Sequence, residues 1–193
     1  YKRYEDWTEE EKKQIKENMA NSPWHTHYHV EPKTGLLNDP NGFSYFNGKW
    51  ILFYQNFPFG AAHGLKSWVQ LESDDLVHFK ETGLKVLPDT PLDSHGAYSG
   101  SAMQFDDKLF LFYTGNVRDE NWIRHPYQIG ALLDQDGNLK KIDQILIDQP
   151  EDATDHFRDP QIFKFKDQYY AIVGGQDLDK KGFVRLYKAV NND

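Results

Sequence analysis

From Pro23 onward the apolar residues arrive in short or alternating runs, punctuated by Asn-Gly, Asp-Asp, Asp-Gly and Pro. A period of two with turn residues at frequent intervals predicts strands joined by tight turns and leaves little room for helix. The start of the chain differs. Thr8 followed three residues later by Glu11 forms a capping box, and 9–20 is rich in Glu, Lys and Gln, which predicts a short helix stopping near Asn21. We therefore divide the chain into a helical lead-in, 1–23, and an all-β portion, 24–193.

Within the β portion one pattern recurs three times. Phe43 to Asn56, Ala102 to Gly115 and Ile162 to Gly175 each read as a short strand, a two-residue polar turn and an aromatic-rich strand. Phe46, Phe105 and Phe165 fall 59 and 60 residues apart, and Trp50, Leu109 and Tyr169 keep the same offset from them. A unit of about 60 residues, with further strands at Trp68 to Glu72 and Gln128 to Leu133, matches the four-stranded blade of a β-propeller. Hairpins repeated in a β-sandwich are the other arrangement this spacing allows. Three blades do not close a ring, so the chain is expected to be the first part of a longer propeller or to associate with copies of itself.

Composition narrows the classes. Of 193 residues 38% are hydrophobic and 15% aromatic, with no Cys, and no apolar run approaches the length of a membrane-spanning helix. With 22 Lys+Arg against 30 Asp+Glu the net charge is -8, which disfavours nucleic acid and anionic membrane as partners. The absence of Cys excludes a disulfide framework and a thiolate metal site.

The chemistry is expected at two Asp-Pro pairs. Asp39 sits in Asn38-Asp39-Pro40-Asn41-Gly42, ahead of the first hairpin, and Asp159 in Arg158-Asp159-Pro160, ahead of the third. Equivalent innermost strands of a propeller run in the same direction, so two acids 120 residues apart should meet at one mouth of the axis. Pro after each Asp predicts a non-helical backbone there. Two convergent carboxylates among aromatic residues are the equipment of glycoside hydrolysis.

Several stretches together resemble glycoside hydrolase family 32, which includes invertases, fructanases and bacterial sucrose-6-phosphate hydrolases. They are Tyr28-His29-Val30-Glu31-Pro32, Gly35 through Gly42, Phe53-Tyr54-Gln55, Ser73 through His78, Tyr98-Ser99-Gly100-Ser101 and Phe157-Arg158-Asp159-Pro160. The resemblance implies a five-bladed propeller of which this chain covers about three blades. It implies a retaining β-fructofuranosidase acting on sucrose or sucrose 6-phosphate, in the cytoplasm, with no cofactor and no metal. On that basis Asp39 is the nucleophile and Asp159 the stabiliser of the oxocarbenium-like transition state, with Arg158 keeping Asp159 ionised. Leu36, Leu37, Asn38, Gln55, His63, Tyr98 and Ser99 fall at sugar-contacting positions, and Trp68 is expected as an apolar wall. The chain departs from common family patterns at Leu36-Leu37, at Trp68-Val69-Gln70 and at His63. The family's acid/base Glu, in a Glu-Cys pair, has no match here, and the repeat spacing places it past Asp193, so the 193 residues alone are expected to be a poor catalyst.

A basic group, Arg118, Arg124 and His125 with Trp122 and Tyr127, reads as a loop that could receive a sugar phosphate, with Arg124 as the phosphate contact. Other signals carry less. His25, His27 and His29 alternate, but a metal site is not expected from them. The run from Gly60 to Ser67 is a near miss for a phosphate-binding loop, because Leu65 stands where its second Gly belongs. Asp93-Ser94-His95 is contiguous, unlike a hydrolase triad assembled from distant positions. Besides the fructosidase, two functions fit the residues: a propeller that binds sugars or a protein without catalysis, and an inverting hydrolase of arabinan or xylan in which Asp39 is a general base.

Overall fold

The structure, a computed structural model, describes residues 2–190. After one turn of 3-10 helix at Tyr4–Asp6, α1 runs over Glu9–Ala20, with Thr8 accepting from the Glu11 amide and Glu11 reaching back to the Thr8 amide. This is the expected capping box, and the helix ends at Asn21.

Among the described residues eleven strands follow. The first sheet is β1 (Leu36–Phe46), β2 (Lys49–Phe57), β3 (Ser67–Ser73) and β4 (Lys80–Val86), in that order. The second is β5 (Ala97–Phe105), β6 (Lys108–Arg118), β7 (Arg124–Leu133) and β8 (Leu139–Lys141), and the third is β9 (Arg158–Phe165), β10 (Gln168–Gln176) and β11 (Gly182–Lys188). Every pairing is antiparallel, and the innermost strands β1, β5 and β9 lie side by side. The chain is all-β apart from its short N-terminal helix and forms three propeller blades.

The three hairpin turns fall at Asn47-Gly48, Asp106-Asp107 and Lys166-Asp167, as the repeat predicts. Only Asn47-Gly48 has positive φ at both positions, 49° and 77°, which a type I′ turn requires and Gly meets without strain. At the other two turns only Asp106 and Lys166 are left-handed.

The aromatic second strands make the core. Phe53 on β2, Trp68 on β3 and Tyr113 on β6 are fully buried, with ring centroids 5.5 Å apart from Phe53 to Trp68 and 5.7 Å from Trp68 to Tyr113. They join blades one and two, together with Leu109, Leu111, Ile129 and Leu133. Blade three has a smaller cluster of Ala153, Phe157 and Val173. Apolar side chains at the two ends of the array, Phe43 and Tyr45 on β1 and Val184 and Leu186 on β11, remain exposed.

Polar clamps fix how the blades meet. The Gly100 amide donates to Asn41 Oδ1 at 3.1 Å, joining β5 to β1. Ser101 donates to the Pro160 carbonyl and accepts from the Ile162 amide, both at 2.9 Å, joining β5 to β9. A Cβ at Gly100 would stand 2.1 Å from the Phe112 carbonyl oxygen, so any side chain there would force β5 away from β6.

The lead-in is docked against the β portion. Trp7 stacks on Phe59 with centroids 4.4 Å apart, and the Tyr4 hydroxyl donates to the Leu65 carbonyl at 2.9 Å. Burial is the main cause that pushes the Tyr4 phenol up to about 12.

Two local expectations need correction. β1 already begins at Leu36, so Asp39-Pro40 lies inside the strand rather than ahead of it. Arg118 and Arg124 are not in a loop, because β6 and β7 continue to them and pair them directly.

Candidate active site

Asp39 and Asp159 share a backbone feature that the sequence did not announce. Both have positive φ, 39° and 62°, although each precedes a proline, a context that favours extended backbone. Each sits where its hairpin loses register, between Asn38 and Pro40 in β1 and between Arg158 and Gln161 in β9. Such bulges re-aim side chains, and strain of this kind is retained at functional sites. The same break occurs in β5 between Ala97 and Gly100, and there the chain places Ser99. Each of the three innermost strands therefore has a register break at the same end, presenting Asp39, Ser99 and Asp159.

Asp39 and Asp159 border an open cavity of about 510 Å³. Asn38, Asp39, Gln55, His63, Tyr98, Arg124, Arg158 and Asp159 all line it, so most of the expected site residues converge. Ser99 lies beneath the floor and donates to Asp39 Oδ2 at 2.8 Å. Lys66, Arg118, His156 and Gly64 complete the lining.

Leu36, Leu37 and Trp68 lie away from the cavity. Trp68 is not a wall of the cavity: it is fully buried, and its indole N–H donates to the Tyr98 carbonyl at 3.0 Å, holding that rim residue from below. Leu37 packs beside the cluster of Tyr54, Val69 and Leu71, and neither Leu36 nor Leu37 borders the cavity. The three histidines lie outside any regular strand, and His25 Nδ1 is 2.7 Å from Glu31 Oε1. Ser94 Oγ is 3.0 Å from His95 Nδ1, but Asp93 turns away to Tyr113 and Lys141, so no relay of three forms.

Electrostatics follow from this geometry. The Asp159 side chain keeps solvent access, yet the pocket walls desolvate its carboxyl and push its pKa above the ordinary value. Arg158 beside it, Nε at 3.7 Å, opposes the shift, while the charge of Asp39 adds to it. Arg158 is itself braced by His156 Nδ1 at 2.8 Å. The Asp159 amide donates to Thr114 Oγ1 at 3.0 Å, Thr114 donates to Gln128 Oε1 at 2.7 Å, and Gln128 donates to the Phe157 carbonyl at 3.0 Å. Thr114 and Gln128 are fully buried, so a rigid polar network in blade two fixes the backbone on which Asp159 rides.

One wall is basic. Arg118 and Arg124 face each other across β6 and β7, a like-charge pairing that costs stability unless something offsets it. Arg124 has Asp155 Oδ2 at 3.5 Å from Nη1 and lies 5.9 Å from the centre of the Tyr98 ring, but its buried Nε has no acceptor. Arg118 donates to the Trp122 carbonyl at 2.7 Å.

Sequence reasoning missed His156 and Lys66. The signal for Lys66 was a cation between Leu65 and Ser67-Trp68-Val69, just before the start of a strand. Among the described residues no group of three or more His, Cys, Asp or Glu side chains is arranged to hold a metal ion.

The chain is similar to proteins of known family. The family model "Glycosyl hydrolases family 32 N-terminal domain" matches residues 29–193. The chain is 73% identical over all 193 residues to the sucrose-6-phosphate hydrolase of Streptococcus mutans serotype c, spanning 40% of that protein. It is 54% identical to that of Lactococcus lactis subsp. lactis, spanning 41% of it. Among solved structures, the sucrose-6-phosphate hydrolase from Lactobacillus gasseri superposes with a TM-score of 0.96 at 47% identity, covering 100% of this chain and 40% of that one. A mutant β-fructofuranosidase of Bombyx mori in complex with sucrose gives a TM-score of 0.77 at 32% identity, covering 95% of this chain and 40% of the other.

Proposed function

The chain belongs to glycosyl hydrolase family 32, and from that premise we propose that it carries the nucleophilic half of a β-fructofuranosidase that cleaves sucrose or sucrose 6-phosphate with retention. The observation that carries the reading is the convergence of Asp39 and Asp159, from blades one and three, in one cavity whose polar wall is set by Asn38, Gln55 and Tyr98. The chain spans about two-fifths of the relatives it matches, so the activity is that of the full-length protein.

Asp39 attacks the anomeric carbon of the fructosyl unit, the glycosidic bond breaks, and the leaving oxygen takes a proton from a general acid outside these residues. A covalent fructosyl ester on Asp39 results, which water then hydrolyses, and two inversions give net retention. Ser99 leaves Asp39 a carboxylate oxygen of fixed direction, since it holds only Oδ2. Asp159, exposed at the cavity with Arg158 beside it favouring its charged form, stabilises positive charge developing on the ring and accepts sugar hydroxyls.

The basic wall favours the phosphorylated substrate. Two facing arginines lining the cavity of a chain of net charge -8 suit a phosphate, which accepts several charge-assisted hydrogen bonds at once. The test is the anomer released first by the full-length protein, followed by NMR before mutarotation. β-Fructofuranose as the first product supports the reading, whereas the α anomer would assign Asp39 the role of general base in an inverting enzyme.

A further inference from the structure

We propose that Lys66 is a positioning residue: it sets the direction of a hydrogen-bond chain that ends on Asp39 and so holds that carboxylate for attack, an inference resting on the reading of Asp39 as nucleophile. The chain is continuous. Lys66 Nζ donates to Asn38 Oδ1 at 2.5 Å, Asn38 Nδ2 to Gln55 Oε1 at 2.9 Å, Gln55 Nε2 to Ser99 Oγ at 2.7 Å, and Ser99 Oγ to Asp39 Oδ2 at 2.8 Å.

Each intermediate link could point either way. An amide presents an acceptor on one side and donors on the other, and a hydroxyl both donates and accepts. An ammonium group has only donors. With Lys66 at its head, Asn38 must turn its oxygen to Lys66 and its nitrogen to Gln55, Gln55 must turn its nitrogen to Ser99, and the Ser99 proton is left for Asp39. Without a donor-only group at the head, both amides can flip, and Ser99 would then donate to Gln55 and abandon Asp39. The charge at one end and the carboxylate at the other polarise every bond between them.

The setting keeps Lys66 to this task. Lys66, Gln55 and Ser99 are 3%, 5% and 9% exposed, which limits competition from water at these three side chains. The Ala97 amide donates to the Lys66 carbonyl at 2.9 Å, and Tyr4 of the lead-in holds the preceding carbonyl, at Leu65. Burial draws the Lys66 ammonium below its ordinary pKa, and the Asp39 charge opposes this. Other charged and titratable groups border the cavity that Asp39 faces. His63 comes from the connection before β3, and Tyr98 from β5. Arg118 and Arg124 come from β6 and β7, and His156, Arg158 and Asp159 from β9 and its lead-in. None of them takes part in this hydrogen-bond chain.

The experiment is steady-state kinetics of the full-length protein on sucrose, which has no phosphate for Lys66 to bind, as a function of pH. Lys66→Met and Lys66→Gln should lower kcat about tenfold or more, the scale of one charged hydrogen bond, with KM little changed. The acid limb of kcat/KM should move to higher pH. Lys66→Arg, again a donor-only cation, should restore most of the rate. Ser99→Ala, which breaks the last link and leaves the cation in place, should move the acid limb in the same direction and guards against a Lys66 variant that fails to fold. An unmoved acid limb with kcat within twofold in these variants overturns the proposal, as does a loss confined to sucrose 6-phosphate, which would make Lys66 a phosphate contact. If Asp39→Asn retains turnover, the nucleophile reading falls and this inference with it. If Asp39→Asn is inactive while the Lys66 and Ser99 variants are unchanged, the hydrogen-bond chain alone is refuted.

Discussion

The Asp159 amide is bonded to Thr114 Oγ1 at 3.0 Å, across the boundary between blades three and two. A cavity carboxylate on one blade thus takes its position from a buried hydroxyl on the next. Thr114→Val keeps the shape but leaves the Asp159 amide without its acceptor and Gln128 Oε1 without its donor. We expect a loss of about 1–3 kcal/mol of stability from each unsatisfied group and a fall in kcat larger than any change in KM, measured by denaturant unfolding and by kinetics. A change in stability alone would make the contact purely structural.

Arg124→Ala separates the two substrates. A charge-assisted contact to phosphate is worth about 1.5–3 kcal/mol, so kcat/KM for sucrose 6-phosphate should drop by roughly tenfold to a hundredfold while that for sucrose changes little. Equal losses on both substrates would remove Arg124 as the phosphate contact.

Asp159 makes stability and activity oppose each other. Its folded pKa is raised, chiefly by desolvation, so between the unfolded value and the folded one the folded chain binds the proton more tightly. The group therefore costs stability at neutral pH, and the cost fades as pH falls through the raised folded value. Asp159→Asn should be inactive yet at least as stable as the parent at neutral pH, with its advantage shrinking in acid. Unfolding of both proteins at neutral and acid pH checks the sign, and a variant less stable at neutral pH would contradict it.

Gly100→Ala tests the clamp between blades. With the added Cβ 2.1 Å from the Phe112 carbonyl oxygen, β5 must shift and the bond to Asn41 is strained. Stability should fall by several kcal/mol, about the cost of overpacking a buried site or more, and activity with it, since Ser99 is the neighbouring residue. A fully active variant with an unchanged melting temperature would show that the junction has slack.

Much of this molecule is legible in its sequence because the repeat is strict. Phe46, Phe105 and Phe165 mark the ends of three inner strands, and the aromatic second strands that follow become the core. That Asp39 and Asp159 meet at one cavity was legible from their equivalent places in that repeat. Trp68 was misread because an aromatic near a motif serves a core as readily as a sugar, and its burial depends on Phe53 and Tyr113 from two different blades. The left-handed backbone at Asp39 and Asp159 was hidden because the following proline favours the extended region locally, while the bulge and the interblade clamps override that preference. Lys66 was read only as part of a failed phosphate-loop pattern, since its partners lie on β1, β2 and β5 and no local spacing announces them.

If Asp39 is the nucleophile, it becomes covalently bonded to the fructosyl unit during turnover. The measurement is mass spectrometry of peptides from the full-length protein, quenched in acid during turnover of sucrose or sucrose 6-phosphate. A hexosyl increment on the peptide containing Asp39, absent from the Asp39→Asn variant, is the predicted result. A catalytically competent enzyme that never carries the increment there, or carries it on another carboxylate, would contradict the account.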